Sequence, residues 1–207
     1  MLAEGATEAT AFPVAARRLA ELAPNSYSSL EALGICTIDA GSESQLADLG
    51  GLYRELGKTV YAVCDNQTAT NEAAIRAQVH ELFMHAEKGI EELVLNNTTA
   101  DALERFSDLL AWPSHLAAKY PDPKADVVNA VNEYFAWAKG NWGLADFLAQ
   151  CNEDEIPEWM RETCIRIREL SQPPPQEAPS EKEPIADEAI AEPDAAPTPE
   201  VGNPGGI

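Results

Sequence analysis

The sequence predicts an α/β fold with three parts. These are a mainly parallel, doubly wound sheet with flanking helices over residues 1–97, an all-helical region over 98–171 and a disordered tail over 172–207. Three observations predict it. Short apolar or β-branched runs alternate with helical patterns through the first part, the signature of strand–helix–strand units. After Glu91 the apolar spacing becomes helical throughout. From Gln172 the chain is Pro, Ala and Glu with almost no large apolar residue, so it cannot bury enough surface to offset its ordering entropy.

Taken in order, Met1 to Ala3 form a short apolar run that ends in Glu4 and Gly5. Phe12, Leu19 and Leu22 then recur at helical spacing over Ala6 to Ala23, with Pro13 predicting a kink or a late start. Ile35 to Asp39 reads as a buried strand. Ser42 and Gln45 make a capping-box pattern for a helix to about Leu56. Thr59 to Cys64 is the third strand, Asn71 to Val79 a helix and Leu82 to Met84 a fourth strand. Helices follow at Thr98–Ala111, Lys124–Ala138, Gly143–Gln150 and Pro157–Leu170. Right-handed connections are expected between the parallel strands.

The 207 residues carry a formal charge of −21. The tail holds eight acidic residues against Lys182, which leaves about −14 on residues 1–171. Such a surface repels nucleic-acid phosphates unless cations neutralise it locally. Cys36, Cys64, Cys151 and Cys164 form no CxxC pair, which argues against zinc, and Cys36 and Cys64 are expected as buried thiols. No basic leader or run of ~20 apolar residues is present. The expectation is a cytoplasmic protein with no membrane association.

The acidic residues of the sheet fall at the ends of its strands. Glu4 ends the first, Asp39 the second and Asp65 the third, with Glu87 and Glu91 after the fourth. Glu4 and Glu8 are four apart and can face one point if a helix starts at about residue 6. Ligands bind at the carboxyl ends of parallel strands in such folds. Crowded carboxylates repel, and a hard divalent cation such as Mg²⁺ or Mn²⁺ resolves this with oxygen ligands. The chemistry suggested is metal-assisted phosphodiester cleavage. Against this, Asp and Glu also suit turns and helix N-termini, and Asp39 is the weakest member on that ground.

Glu4-Gly5-Ala6-Thr7-Glu8 with Phe12-Pro13 resembles the opening of the Toprim domain of the OLD family of nucleases, relatives of the nuclease subunit of the Gabija anti-phage system. Ile35 to Gly41 and Val60 to Gln67 are similar to that family's second and third strands, and Glu87 to Leu93 to its later acidic motif. Ala138 to Met160 resembles its closing motif, which carries a lysine.

The resemblance implies a Toprim fold and DNA cleavage with two divalent ions, Mg²⁺ or Mn²⁺, in phage defence. It implies that Glu4 and Glu8 are metal ligands or the general base beside one, that Asp65 holds a metal, and that Glu91, with Glu87, serves the second. Lys139 would face the scissile phosphate. The family's Asp-x-Asp is Asp65-Asn66-Gln67 here, so Gln67 brings an amide oxygen without charge and, with Asp39, is a weaker candidate ligand. The resemblance also implies an ATPase domain or subunit beyond this chain, and a monomer or weak dimer without it. The alternative is a truncated, catalytically weak or inactive Toprim module acting as an interaction or regulatory protein.

Gly51 to Thr59 nearly spells a phosphate-binding loop. It has one residue too many between its glycines and runs from helix into strand, so no ATP site is expected. Gly57 reads instead as a helix C-cap. His80, His85 and His115 form no metal motif, and His85 is expected at the surface. Trp112, Trp137, Trp142 and Trp159 all fall in the helical region, where their spacing predicts core packing rather than base stacking.

Overall fold

The sheet is built from four short parallel strands, β1 (Leu2–Ala3), β2 (Ile38–Asp39), β3 (Tyr61–Cys64) and β4 (Glu81–Met84), in the order β2-β1-β3-β4. The computed structural model describes residues 1–139 and 142–171. The expected tail lies outside the described residues.

Period-two alternation in β3 sets the layers. Tyr61 and Val63 join one core and Ala62 and Cys64 another, on the opposite face of the pleat. Helix α1 (Ala6–Leu22) packs Phe12, Ala16 and Leu19 into the first core. Helices α2 (Glu43–Glu55) and α3 (Ala69–Gln78) pack Leu46 and Ile75 into the second. The chain leaves β1 in one direction along the sheet, to β2, and then reverses past β1 to β3 and β4. Right-handed crossovers place helices on opposite faces when that direction reverses. The reversal makes a topological switch point between β1 and β3.

The helical region continues the first core. It comprises α4 (Ile90–Asn97), α5 (Ala100–Leu109), α6 (Ser114–Lys119), α7 (Val127–Trp137), α8 (Gly143–Leu148) and α9 (Glu158–Ser171). Phe106, Phe135, Phe147 and Met160 meet Phe12 and Leu19 in one cluster. Thr99 caps α5 by accepting from the backbone N–H of Ala102 at 3.1 Å.

Several expectations change. Strand β2 is two residues long, because its neighbour β1 offers only two positions to pair with. Ile35 to Thr37 are therefore not strand, and Cys36 is exposed rather than a buried thiol, while Cys64, inside β3, is buried. The Ser42 hydroxyl pairs with Ser44 at 3.0 Å instead of closing a capping box, yet α2 still forms. Helix α1 starts at Ala6 and runs through Pro13, so no late start occurs. Gly57 has φ of 71°, as a helix C-cap requires. Helices α4 and α6 lie where no helix was expected.

Among the tryptophans, Trp159 packs edge-on against Phe12 at 6.2 Å, and Trp112 donates to the Ser107 carbonyl at 3.1 Å. Trp137 and Trp142 do not enter the core: they are 50% and 58% exposed. Residue 137 falls off the α7 stripe of Val127, Val131 and Phe135, and Trp142 precedes α8 in a left-handed turn, with φ of 69°. His85 is buried rather than exposed, 4% accessible, with its ring 5.0 Å edge-on to Trp159. No helix among the described residues is long and apolar enough to cross a membrane.

Candidate functional site

Strand β1 fixes the site although it is short. It is an interior strand, paired on both sides: the Ile38 N–H donates to the Met1 carbonyl (2.9 Å) and the Ala40 N–H to the Ala3 carbonyl (2.8 Å) on one side. On the other, the Glu4 N–H donates to the Val63 carbonyl at 3.2 Å. Glu4 follows β1 and Asp65 follows β3, so these two carboxylates flank the switch point from adjacent strands.

A cavity of about 380 Å³ opens there, lined by Glu4, Glu8, Asp65, Glu91, Lys88 and Lys139, with Gly5, Gly41 and Gly89 in its walls. Its residues come from distant parts of the sequence. Gly5 caps α1 and Gly89 caps α4, both in extended backbone, and each helix places a glutamate in its first turn. Gly5 makes room for Glu8, while Gly89 adjoins Glu91 at ordinary contact distance. A Cβ on Gly5 would sit 3.2 Å from the Glu8 Oε2, and one on Gly89 would sit 3.4 Å from the Glu91 Oε2. A larger cavity, about 530 Å³, lies at the opposite end of the strands beside Met1, Thr59 and Val60. Among the described residues no carboxylate lines it, whereas the smaller cavity gathers four.

The carboxylates are crowded. The Asp65 N–H donates to the Glu4 Oε2 at 3.3 Å. The Gln67 amide nitrogen donates to the same Glu4 oxygen at 3.0 Å and to the Asp65 Oδ1 at 3.1 Å. Burial, reinforced by Asp65, pushes the Glu4 carboxyl up to about 7. Burial also raises Glu8, with Glu91 and Asp65 adding repulsion and Lys139 opposing it. Gln67 is 8% exposed, and its amide oxygen is buried without a hydrogen-bond partner.

The structure therefore brings Glu4, Glu8, Asp65, Glu91 and Lys139 to one cavity, with Gln67 against its carboxylates. Asp39 and Glu87 do not line it. Asp39 is exposed and its Oδ1 accepts from the Gly41 N–H at 2.7 Å, a turn-forming bond. Glu87 is half-buried on the side of His85. Sequence reading missed Lys88, which lies within the acidic motif of Glu87 to Leu93 and reaches the cavity because α4 begins just after it.

The donor chemistry suits a hard divalent cation: all the charged donors are carboxylate oxygens, and their mutual repulsion is what such an ion relieves. Among the described residues, no three Asp, Glu, His or Cys side chains converge as a ready-made metal cage.

Residues 1–66 match the family model of the overcoming lysogenization defect protein-like TOPRIM domain. This bears out the resemblance read from the sequence over β1, α1, β2, α2 and β3, and includes Glu4, Glu8 and Asp65. Gln67, Lys88, Glu91 and Lys139 lie beyond the matched span. No curated protein and no solved structure matches the chain. A TOPRIM domain points in general to metal-dependent chemistry of the nucleotidyl-transfer or nuclease type, and TOPRIM domains generally bind divalent metals.

Proposed function

We propose that this chain is a metal-dependent DNA endonuclease domain that cleaves phosphodiester bonds with two Mg²⁺ or Mn²⁺ ions. The observation that carries the reading is the gathering of Glu4, Glu8, Asp65, Glu91 and Lys139 around one cavity, in a chain whose first 66 residues match a TOPRIM model. Glu4, Glu8 and Asp65 would hold one ion, and Glu91 the other. Bound divalent ions supply charge neutralisation for the phosphate and acidity to an attacking water.

The chain's own groups do the rest. Lys139 is exposed at the cavity and carries no ion-pair partner among the described residues, so it is free to contact a phosphate oxygen and stabilise the charge that develops on it. Glu8 lies over Gly5 at the start of α1 and is a candidate for taking the water's proton. DNA is the proposed partner, with an ATPase domain or subunit as a second.

The test is cleavage of supercoiled plasmid with Mg²⁺ or Mn²⁺ by the wild type, Glu4→Ala and Asp65→Ala. Both substitutions are expected to abolish nicking. Cleavage that survives both would remove the assigned site. A second reading, a catalytically weak or inactive regulatory module, is favoured by the neutral Gln67. Absence of Mn²⁺ binding at millimolar concentration by calorimetry would support it over the first.

A further inference from the structure

Trp142 is the one described non-glycine residue with positive φ, at 69°. A bulky aromatic there is a backbone outlier, and such strain persists only where the surroundings hold it. The strain does not serve burial, since the indole is 58% exposed. Trp142 lines a crevice with Lys139 and Glu91, and these two residues also line the carboxylate cavity, so the crevice adjoins it.

The charges around it are selective. Among the described cations, only Lys58, Lys88 and Lys139 lack both an ion pair and a backbone carbonyl partner. Two of these three, Lys88 and Lys139, line the carboxylate cavity. An acidic protein with so few free cations cannot hold a nucleic acid through phosphate contacts spread over a wide surface. Stacking on an aromatic ring supplies affinity without further charge and tolerates any base.

We propose that the Trp142 indole is a stacking platform for an unpaired base next to the phosphate held at Lys139. The protein then selects single-stranded, frayed or looped DNA over continuous duplex at the point of cleavage. A base inside a duplex keeps both faces stacked on its neighbours and cannot offer one to the indole. This inference rests on the nuclease reading above.

The experiment is fluorescence anisotropy of a short labelled oligonucleotide, single-stranded or annealed to its complement, with Ca²⁺ present to limit cleavage. The wild type is expected to bind the single strand more tightly. Trp142→Gly, which suits the left-handed backbone and removes only the ring, is expected to weaken single-strand binding about tenfold and leave duplex binding unchanged. Trp142→Phe is expected to retain most of the affinity. Equal binding of both DNA forms, unchanged by Trp142→Gly, overturns the platform and leaves the nuclease reading standing. No binding of either form by the wild type overturns both. If Trp142→Gly instead dissociates a dimer in sedimentation without altering nucleic-acid binding, the indole is a subunit contact and the platform is overturned.

Discussion

The side-chain nitrogen of Gln67 lies 3.0 Å from the Oε2 of Glu4 and donates to it. The same nitrogen reaches Asp65 at 3.1 Å, so a neutral amide ties together two carboxylates that would otherwise repel. Gln67→Asp removes that tie and adds a third negative charge. The metal-free protein is expected to melt at a lower temperature. Ligand charge count tunes divalent-ion affinity, so Mn²⁺ should bind roughly tenfold more tightly, by calorimetry. A variant that binds Mn²⁺ no better would show that residue 67 does not face the ion.

The raised carboxyls give the metal-free protein a defined pH dependence. Glu4 has an ordinary value of 4.5 and is pushed up to about 7 in the fold. Between those values the folded state holds more protons than the unfolded state, so stability falls as pH rises. The contribution is fully present below 4.5 and is lost as pH passes about 7. Glu8, also raised, acts in the same direction. Thermal melts without metal should therefore decline over this window, and Glu4→Gln should flatten the decline. Added Mg²⁺ should stabilise more at pH 7.5 than at pH 5, because protons compete with the ion for the same oxygens.

Lys139 faces the cavity without an ion-pair partner among the described residues and sits outside the apolar core. Its removal should therefore affect chemistry and spare the fold. Lys139→Ala is expected to slow plasmid cleavage by a factor on the order of 10²–10³, the usual cost of losing one group that stabilises developing charge. Its circular dichroism and melting temperature should match the wild type. A matching loss of stability would mark Lys139 as structural.

The thiols offer a check on the fold away from the site. Cys36 is exposed, whereas Cys64, Cys151 and Cys164 are buried. Burial pushes the Cys64 and Cys151 thiols up to about 12, so they hold their protons and stay unreactive. A thiol reagent should titrate one cysteine quickly in the native protein and all four only after denaturation. Cys36→Ser should remove the fast phase.

The alternating layers were legible because strand and helix periodicities are local properties. Thr59 to Cys64 reads as a strand whatever surrounds it, and Glu4 and Asp65 inherit their places from the strands they end. Strand length was not legible. Ile35 to Thr37 have strand-like side chains, yet β2 can extend only as far as β1 pairs with it. Tryptophan burial was lost for a related reason. Composition favours burying an indole, but Trp137 lies off its helix's apolar stripe and Trp142 occupies a left-handed turn that periodicity cannot reveal. Lys88 was overlooked because the flanking Glu87 and Glu91 mark the start of α4 by their carboxylates, and a lysine there reads as a solvated charge.

The start of α8 approaches the end of α7, next to Lys139, at one close contact. A Cβ on Gly143 would come within 2.7 Å of the Ala138 Cβ and 3.3 Å of the Tyr134 ring. Neither neighbour is a flexible chain end: Ala138 is the C-cap of α7, and Tyr134 packs edge-on against Phe106 at 5.9 Å. Gly143→Ala must therefore push α8 away from the end of α7, at a cost of about 1–3 kcal/mol typical of overpacking. Ala138 directly precedes Lys139, so pushing it aside also moves the lysine relative to Glu8. Gly143→Ala is expected to lower both the melting temperature and the cleavage rate, whereas Lys139→Ala lowers the rate alone. Comparing the two variants by melting and plasmid nicking separates the lysine's charge from its placement. An unaltered melting temperature in Gly143→Ala would show that α7 and α8 do not meet this closely.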